Sequence, residues 1–291
     1  MQINKYIYSF SYENPQSELC KLESRYFFNK EEKNKQLVSN IKVAPSNSPF
    51  IKSRFDIILF SEDYDTLIKD IKKESICIDG FKVEYLVLNG DITEYKERLN
   101  KLKDIGWSIE GIPNYYNPIK TYALCYYEDV WCFGILIKDR FAWHQHKQKP
   151  HSYSNSINIS IAKALVNIAA KANKENKLLD ACCGVGTIML EACFSGNNIE
   201  GCDINEKICK NAKENLSHFN YIANVYNSDI KNISKKYEAA IIDLPYNLFS
   251  NATDNDILHI IESTAEITDR IVIVSTSDIT NLISNIGFRI L

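Results

Sequence analysis

Four acids close four apolar runs in the second half of this 291-residue chain: Asp180 in KLLDACCGVGT, Asp203 in IEGCDIN, Asp229 in NSDI and Asp243 in IIDLPYN. Gly184 and Gly186 follow the first acid at a spacing that lets the backbone turn tightly and approach a ligand. A dinucleotide loop would place a third glycine at position 189, where this chain has Met189. The loop therefore suits a nucleoside without a pyrophosphate. Asp203 can accept hydrogen bonds from both hydroxyls of a ribose, and Asp229 can face an exocyclic amine of the base.

S-adenosylmethionine meets these demands. The candidate cofactor set is Asp180, Ala181, Cys182, Gly184, Gly186, Thr187, Asp203, Ile204 and Asp229. The fourth run supplies the second half of a reaction. An aromatic amine is a poor nucleophile because its lone pair is delocalised into the ring. Two acceptors, the Asp243 carboxylate and the Leu244 carbonyl, can hold its N–H groups and aim the lone pair. Pro245 restricts the Leu244 backbone, and Tyr246 offers a ring to stack on the base. These four are the candidate catalytic residues. A carbon-methylating enzyme would need a thiol beside that proline, and none is there. The motif serves a guanine or an adenine amine equally.

Elements must carry these residues to one place. Helical spacing over 158–172, 187–196 and 205–220 alternates with strand runs at 177–180, 199–205, near 222–227, at 237–246 and at 270–276. Asn205 caps the third of these helices, with Glu206 in its first turn. Such alternation predicts a parallel sheet with helices on both faces and ligands at the carboxyl ends of its strands. The first half reads as strand 5–12, helix 15–28, strand 53–61, helix 62–74 and strand 81–90, an alternation predicting a ferredoxin-like α+β region. A helix over 91–106 and a hairpin over 120–137, turning at Glu128-Asp129-Val130, follow. The segment KQKPHSYSNS sets the expected boundary: residues 1–150 as one domain, 151–291 as the second.

The chain is 45% hydrophobic and 24% charged, with net charge −3, divided as +1 over 1–150 and −4 over 151–291. That balance alone argues against a nucleic-acid binder. One segment runs the other way. KDRFAWHQHKQKPHSY carries Lys138, Arg140, His144, Lys147 and Lys149 among Phe141, Trp143 and Tyr153, a pattern suited to RNA phosphates and bases and equally to a solvated linker. The three nearby histidines lack an acid or cysteine to complete a ligand set, so no metal is expected. Nine scattered cysteines without a Cys-x-x-Cys pair read as reduced residues of a cytoplasmic protein. No run approaches the length of a membrane span, and the start lacks a signal-peptide pattern.

DACCGVGT, GCDIN, NSDI and DLPYN together resemble the motifs of class I, Rossmann-like S-adenosylmethionine-dependent methyltransferases that modify amino groups. The arrangement over residues 138–250 is similar to the THUMP-associated tRNA guanine-N2 methyltransferases, in which an RNA-binding region precedes the catalytic domain. The resemblance implies a THUMP-like region over 1–150, tRNA as partner and methylation of guanosine, at position 10. Adenine-N6 methylation of RNA or DNA and a non-catalytic RNA-binding subunit are the alternatives. Leu244 stands where many relatives have proline, and Asn247 where they have glycine. The C-terminal stretch RIVIVSTSDITNLISNIGFRIL holds a fifth strand, a helix and one short strand, whereas the family sheet adds a final antiparallel strand. Either the chain is truncated or another element, from a partner or a second copy, completes that edge.

Overall fold

The computed structural model describes residues 5–153, 156–244, 253–284 and 289–290. The chain divides into two units. The first comprises residues 1–24, 30–45 and 50–140; the second comprises 25–29, 46–49 and 141–291.

Unit 1 holds a six-stranded sheet in the order β2-β1-β3-β6-β5-β4, formed by β1 (Tyr6–Phe10), β2 (Gln36–Ser39), β3 (Ile51–Ser61), β4 (Phe81–Tyr85), β5 (Lys120–Tyr127) and β6 (Val130–Lys138). The hairpin turns at Glu128 and Asp129, both left-handed, as the right-handed twist of the flanking strands favours. Helices α2 (Tyr64–Lys73) and α3 (Tyr95–Trp107) lie on one face. Leu67, Ile71 and Ile105 pack there against Tyr122, Leu124 and Phe133. Alternation along β5 sends Ala123 and Cys125 to the opposite face with Ile7 and Phe55. The α+β composition is as expected, and the ferredoxin-like topology is corrected. β1 and β3, joined through α1 (Ser17–Phe28), pair antiparallel, and only β4 and β5 run parallel. The expected hairpin lies within the sheet, β6 and β5 standing between β3 and β4. The strand read over 81–90 stops at Tyr85, ahead of the Asn89-Gly90 turn.

Unit 2 is built on a parallel sheet in the order β11-β10-β7-β8-β9, from β7 (Lys177–Asp180), β8 (Asn198–Asp203), β9 (Val225–Asn227), β10 (Ala239–Asp243) and β11 (Ile271–Val274). β7 and β10 are buried on both faces, which is why they read as unbroken apolar runs. Leu178 and Ile241 face α4 (Ile159–Ala170) and α5 (Thr187–Phe194), while Leu179, Ala240 and Ile242 face α7 (Asp254–Ala265). The Asn205 side chain caps α6 (Glu206–His218) by accepting from the Ile208 N–H at 3.3 Å. The strand order reverses direction between β7 and β10, so the crevice for a ligand opens at the carboxyl end of β7. After α8 (Thr280–Ser284), the short strand expected at the end falls largely outside the described residues.

The basic segment is not a linker. Residues 142–148 form a 3-10 turn of unit 2, and the unit boundary falls at Arg140 and Phe141. Trp143 and His146 are fully buried. His146 Nδ1 lies 2.7 Å from Glu191 Oε1, and its Nε2 lies 3.0 Å from Tyr221 Oη. The buried Lys163 ammonium completes the Glu191 carboxylate at 3.2 Å. A buried carboxylate bound on both oxygens costs far less than an unpaired one, so this cluster anchors the turn on α4 and α5. Trp143 is therefore core and not a base-stacking ring. Among the described residues no helix is long and apolar enough to cross a membrane. None of the nine cysteines is in a disulfide.

Candidate active site

The carboxyl ends of β7, β8, β9 and β10 open on one cavity of about 870 Å³. The loop after β7 forms its floor. Gly184 and Gly186 take positive φ of 51° and 80°, which costs a glycine little and a side-chain residue more. A Cβ at Gly184 would meet nothing within 4 Å, so the backbone there faces open space. Gly186 rests on α6, with its Cβ position 3.4 Å from Ala212 Cβ.

Asp203 ends β8 and braces this loop. Its Oδ2 accepts the Gly184 N–H at 3.1 Å and its Oδ1 accepts the Asn205 N–H at 2.9 Å. The side chain still lines the cavity, as does Ile204. Asp229 caps the turn after β9, accepting the Lys231 N–H at 3.1 Å. The Lys231 ammonium lies 3.3 Å from one carboxylate oxygen and His259 Nε2 lies 3.4 Å from the other. Burial pulls its pKa upward, yet the Lys231 amide and ammonium, with His259, hold it below the usual carboxylate value.

Asp243 is the last residue of β10 and lines the same cavity, followed by Leu244. The Leu244 side chain is buried with Ile242 and Ile261, and its N–H reaches the Val274 carbonyl at 3.2 Å. Pro245 and Tyr246 lie outside the described residues. Ala181, Cys182 and Thr187 line the cavity; Asp180 and Gly186 do not. Asp180 sits fully buried behind the wall, and neither of its carboxylate oxygens has a partner among the described residues. Burial, and after it the charges of Asp243 and Asp203, pushes the Asp180 carboxyl well above its usual 3.8. Asp180 is thus held toward its neutral form, and a direct contact to a ligand in the cavity is not its place. The Thr187 hydroxyl, at the start of α5, is likewise buried without a partner among the described residues. Burial pushes the Cys182 thiol up, so no thiolate nucleophile faces the cavity from there.

The basic candidates separate. Lys138 and Arg140 belong to unit 1, both exposed, with Lys138 bound to Glu84. His144, Lys147 and Lys149 belong to unit 2. The His144 ring stacks on Phe141, with centroids 5.2 Å apart. Lys147 is exposed; Lys149 is half-buried, and burial lowers its pKa. Sequence reasoning missed Tyr153, Ile157, Asp256, His259 and Ile260, which also line the cavity. The i, i+3, i+4 spacing of the last three on α7 was the available signal.

The cavity is large enough for a nucleoside and gathers Asp203, Asp229 and Asp243 at its strand ends, with Asp180 buried behind. Residues 147–259 match the UPF0020 family, described as an RMKL-like methyltransferase domain. A tRNA (guanine(10)-N2)-dimethyltransferase of Methanothermobacter thermautotrophicus is 27% identical over 118 residues, 40% of this chain and 35% of the relative. The protein of that name from Methanocaldococcus jannaschii is 25% identical over 262 residues, 82% of this chain and 70% of the relative. Among solved structures, TrmN from Thermus thermophilus aligns over 97% of this chain and 91% of its own, with 11% identity and a TM-score of 0.46.

Proposed function

We propose that the chain methylates the N2 amine of a guanosine in tRNA, at position 10, using S-adenosylmethionine; the match of residues 147–259 to an RMKL-like methyltransferase domain supports this reading. The observation that carries this reading is the meeting of Asp203, Asp229 and Asp243 on one cavity, with Asp180 fully buried behind them. The residues fit the cofactor. Asp203 retains acceptor capacity for a ribose diol, and Asp229 has acceptor capacity for the adenine amine. The orphaned Thr187 hydroxyl, at a helix N-terminus, suits the carboxylate of the methionine part. The open space before Gly184 lets a ligand approach the backbone.

When bound, the cofactor supplies an electrophilic methyl on a sulfonium. The protein's part is alignment. The Asp243 carboxylate accepts one N–H of the target amine and the Leu244 carbonyl accepts the other, which localises the lone pair on nitrogen. Nitrogen gains the methyl and loses one proton. Because the alkylated amine is strongly acidic, Asp243 can take that proton without a raised pKa. Unit 1, as an RNA-binding, THUMP-like region, contributes Lys138 and Arg140 to tRNA binding; unit 2 contributes His144, Lys147 and Lys149. Likeness to two relatives named as guanine(10)-N2 dimethyltransferases supports the choice of base and position.

The test is nucleoside mass spectrometry of unmodified tRNA after incubation with the purified protein and S-adenosylmethionine. N2-methylguanosine or its dimethyl form is expected; N6-methyladenosine would overturn the choice of base. Asp243→Ala should abolish transfer while S-adenosylhomocysteine binds within about threefold of wild type. Loss of both, or of neither, would contradict its role.

A further inference from the structure

One face of α6 holds the chain segment that borders the cavity. Asn211, Glu214 and Asn215 stand at i, i+3 and i+4 on this helix and all reach the segment His151–Tyr153. Asn215 is fully buried. Its Oδ1 accepts the His151 N–H at 2.9 Å; its Nδ2 donates to the His151 carbonyl and to the Val185 carbonyl, each at 2.9 Å. Every proton and the oxygen of this amide are used. Val185 is the residue between the two glycines of the floor loop. A single side chain therefore ties the bordering segment to that loop.

Asn211 Nδ2 donates to Tyr153 Oη at 2.8 Å. Tyr153 lines the cavity and remains 46% exposed, so its ring has area left to cover with a ligand. Neither asparagine lines the cavity. Ala212, between them, is the atom neighbour of Gly186. α6 is thus a template against which loop and segment are both set.

We propose that Asn215 and Asn211 are positioning residues of the cofactor site: they fix His151–Tyr153 against the glycine loop so that the Tyr153 ring forms a preset wall for the nucleoside ligand. This rests on the reading of the cavity as a cofactor site. Preorganisation of this kind raises affinity by removing an ordering cost that binding would otherwise carry.

The test uses the full chain and S-adenosylhomocysteine as probe, with affinity from calorimetry and stability from thermal melts without ligand. Asn211→Ala and Tyr153→Phe each remove the same hydrogen bond at a partly solvated site. Each should weaken binding by about 3–10-fold, the range of one hydrogen bond, with melting temperatures close to wild type. Their double variant should be no weaker than the weaker single, since both changes cut one interaction. In transfer assays the KM for cofactor should rise and the KM for tRNA stay fixed. Asn215→Asp, which keeps the acceptor and loses both donors, should weaken binding further. Unchanged affinity in the single variants, or effects that multiply in the double, would overturn the proposal even if Asn215→Asp fails to fold. Failure of the wild-type protein to bind the probe would instead strike the cofactor reading, and this proposal with it.

Discussion

Asparagine at position 203 is the substitution that tests the cofactor reading of the strand-end acids most directly. The Asp203 carboxylate spends one lone pair of each oxygen inside the protein, on the Gly184 and Asn205 N–H groups at 3.1 and 2.9 Å. Two acceptor positions remain for the ribose. Asparagine keeps one oxygen and turns the other into an NH₂ group, which then faces a backbone donor and can accept nothing from the ligand. A hydrogen bond to a charged group contributes about 1.5–3 kcal/mol. Losing one to the ribose, and the charge from the other, should cost about 2–3 kcal/mol, or roughly 30–150-fold in Kd. Folding should weaken as well, by about 1–3 kcal/mol, because one backbone N–H of the loop region loses its acceptor. With S-adenosylhomocysteine at one hundred times the wild-type Kd, ligand stabilises the wild type by about 2.7 kcal/mol, and a variant weakened one hundredfold by about 0.4 kcal/mol. Calorimetry gives the affinity and thermal melts with and without ligand give the second number. A Kd within threefold of wild type, with an unaltered ligand-induced shift, would refute the role of Asp203 and the loop geometry built on it.

Two further outcomes follow from the same region. Asp180→Asn should stabilise the protein increasingly as pH rises. The folded carboxyl titrates well above its unfolded value near 3.8, so its contribution is full below that value and is lost as pH climbs toward the folded pKa. Melts of both proteins between pH 5 and 9 check this; a constant difference would mean Asp180 is not held neutral. Gly201→Ala should lower stability by about 1–3 kcal/mol, or roughly 2–12 °C. The new Cβ would lie 2.4 Å from Met189 Sδ and 2.9 Å from Cys183 Cβ. A melting temperature within one degree of wild type would show that Met189 can move aside.

Much of unit 2 was legible because its signals are local. β10 is a short apolar run ending in an acid, and the α6 cap sits next to the helix it caps. Met189, which stands where a dinucleotide loop would have glycine, is buried over Gly201. What sequence did not reveal depends on partners far along the chain. The order of strands in unit 1 is set by pairing between Tyr6 and Asp56 or Ser53 and Lys138. His146 looked like part of a charged linker; its burial is decided by Glu191 and Tyr221, 45 and 75 residues away. Asp180 looked like its three counterparts, and only the sheet shows that it stands behind them. The strap at His151–Tyr153 was invisible for the same reason, since the asparagines that hold it lie on α6.

Unit 2 also takes in residues 25–29 and 46–49, near the beginning of the chain. The Asn47 carbonyl accepts from Asn167 Nδ2 at 2.8 Å, across 120 residues of sequence. At about 5–20 residues per second on a ribosome, Asn47 emerges roughly 6–24 s before Asn167. Through that interval Phe27 and Phe28, 6% and 2% exposed in the finished structure, have no completed unit 2 to enter. The nascent chain therefore carries an uncovered aromatic pair while unit 1, whose sequence lies mostly between these pieces, is being made. Cutting the gene at the unit boundary would make that condition permanent, and a fragment beginning at residue 141 would be born without the pieces of unit 2 that precede unit 1's main stretch.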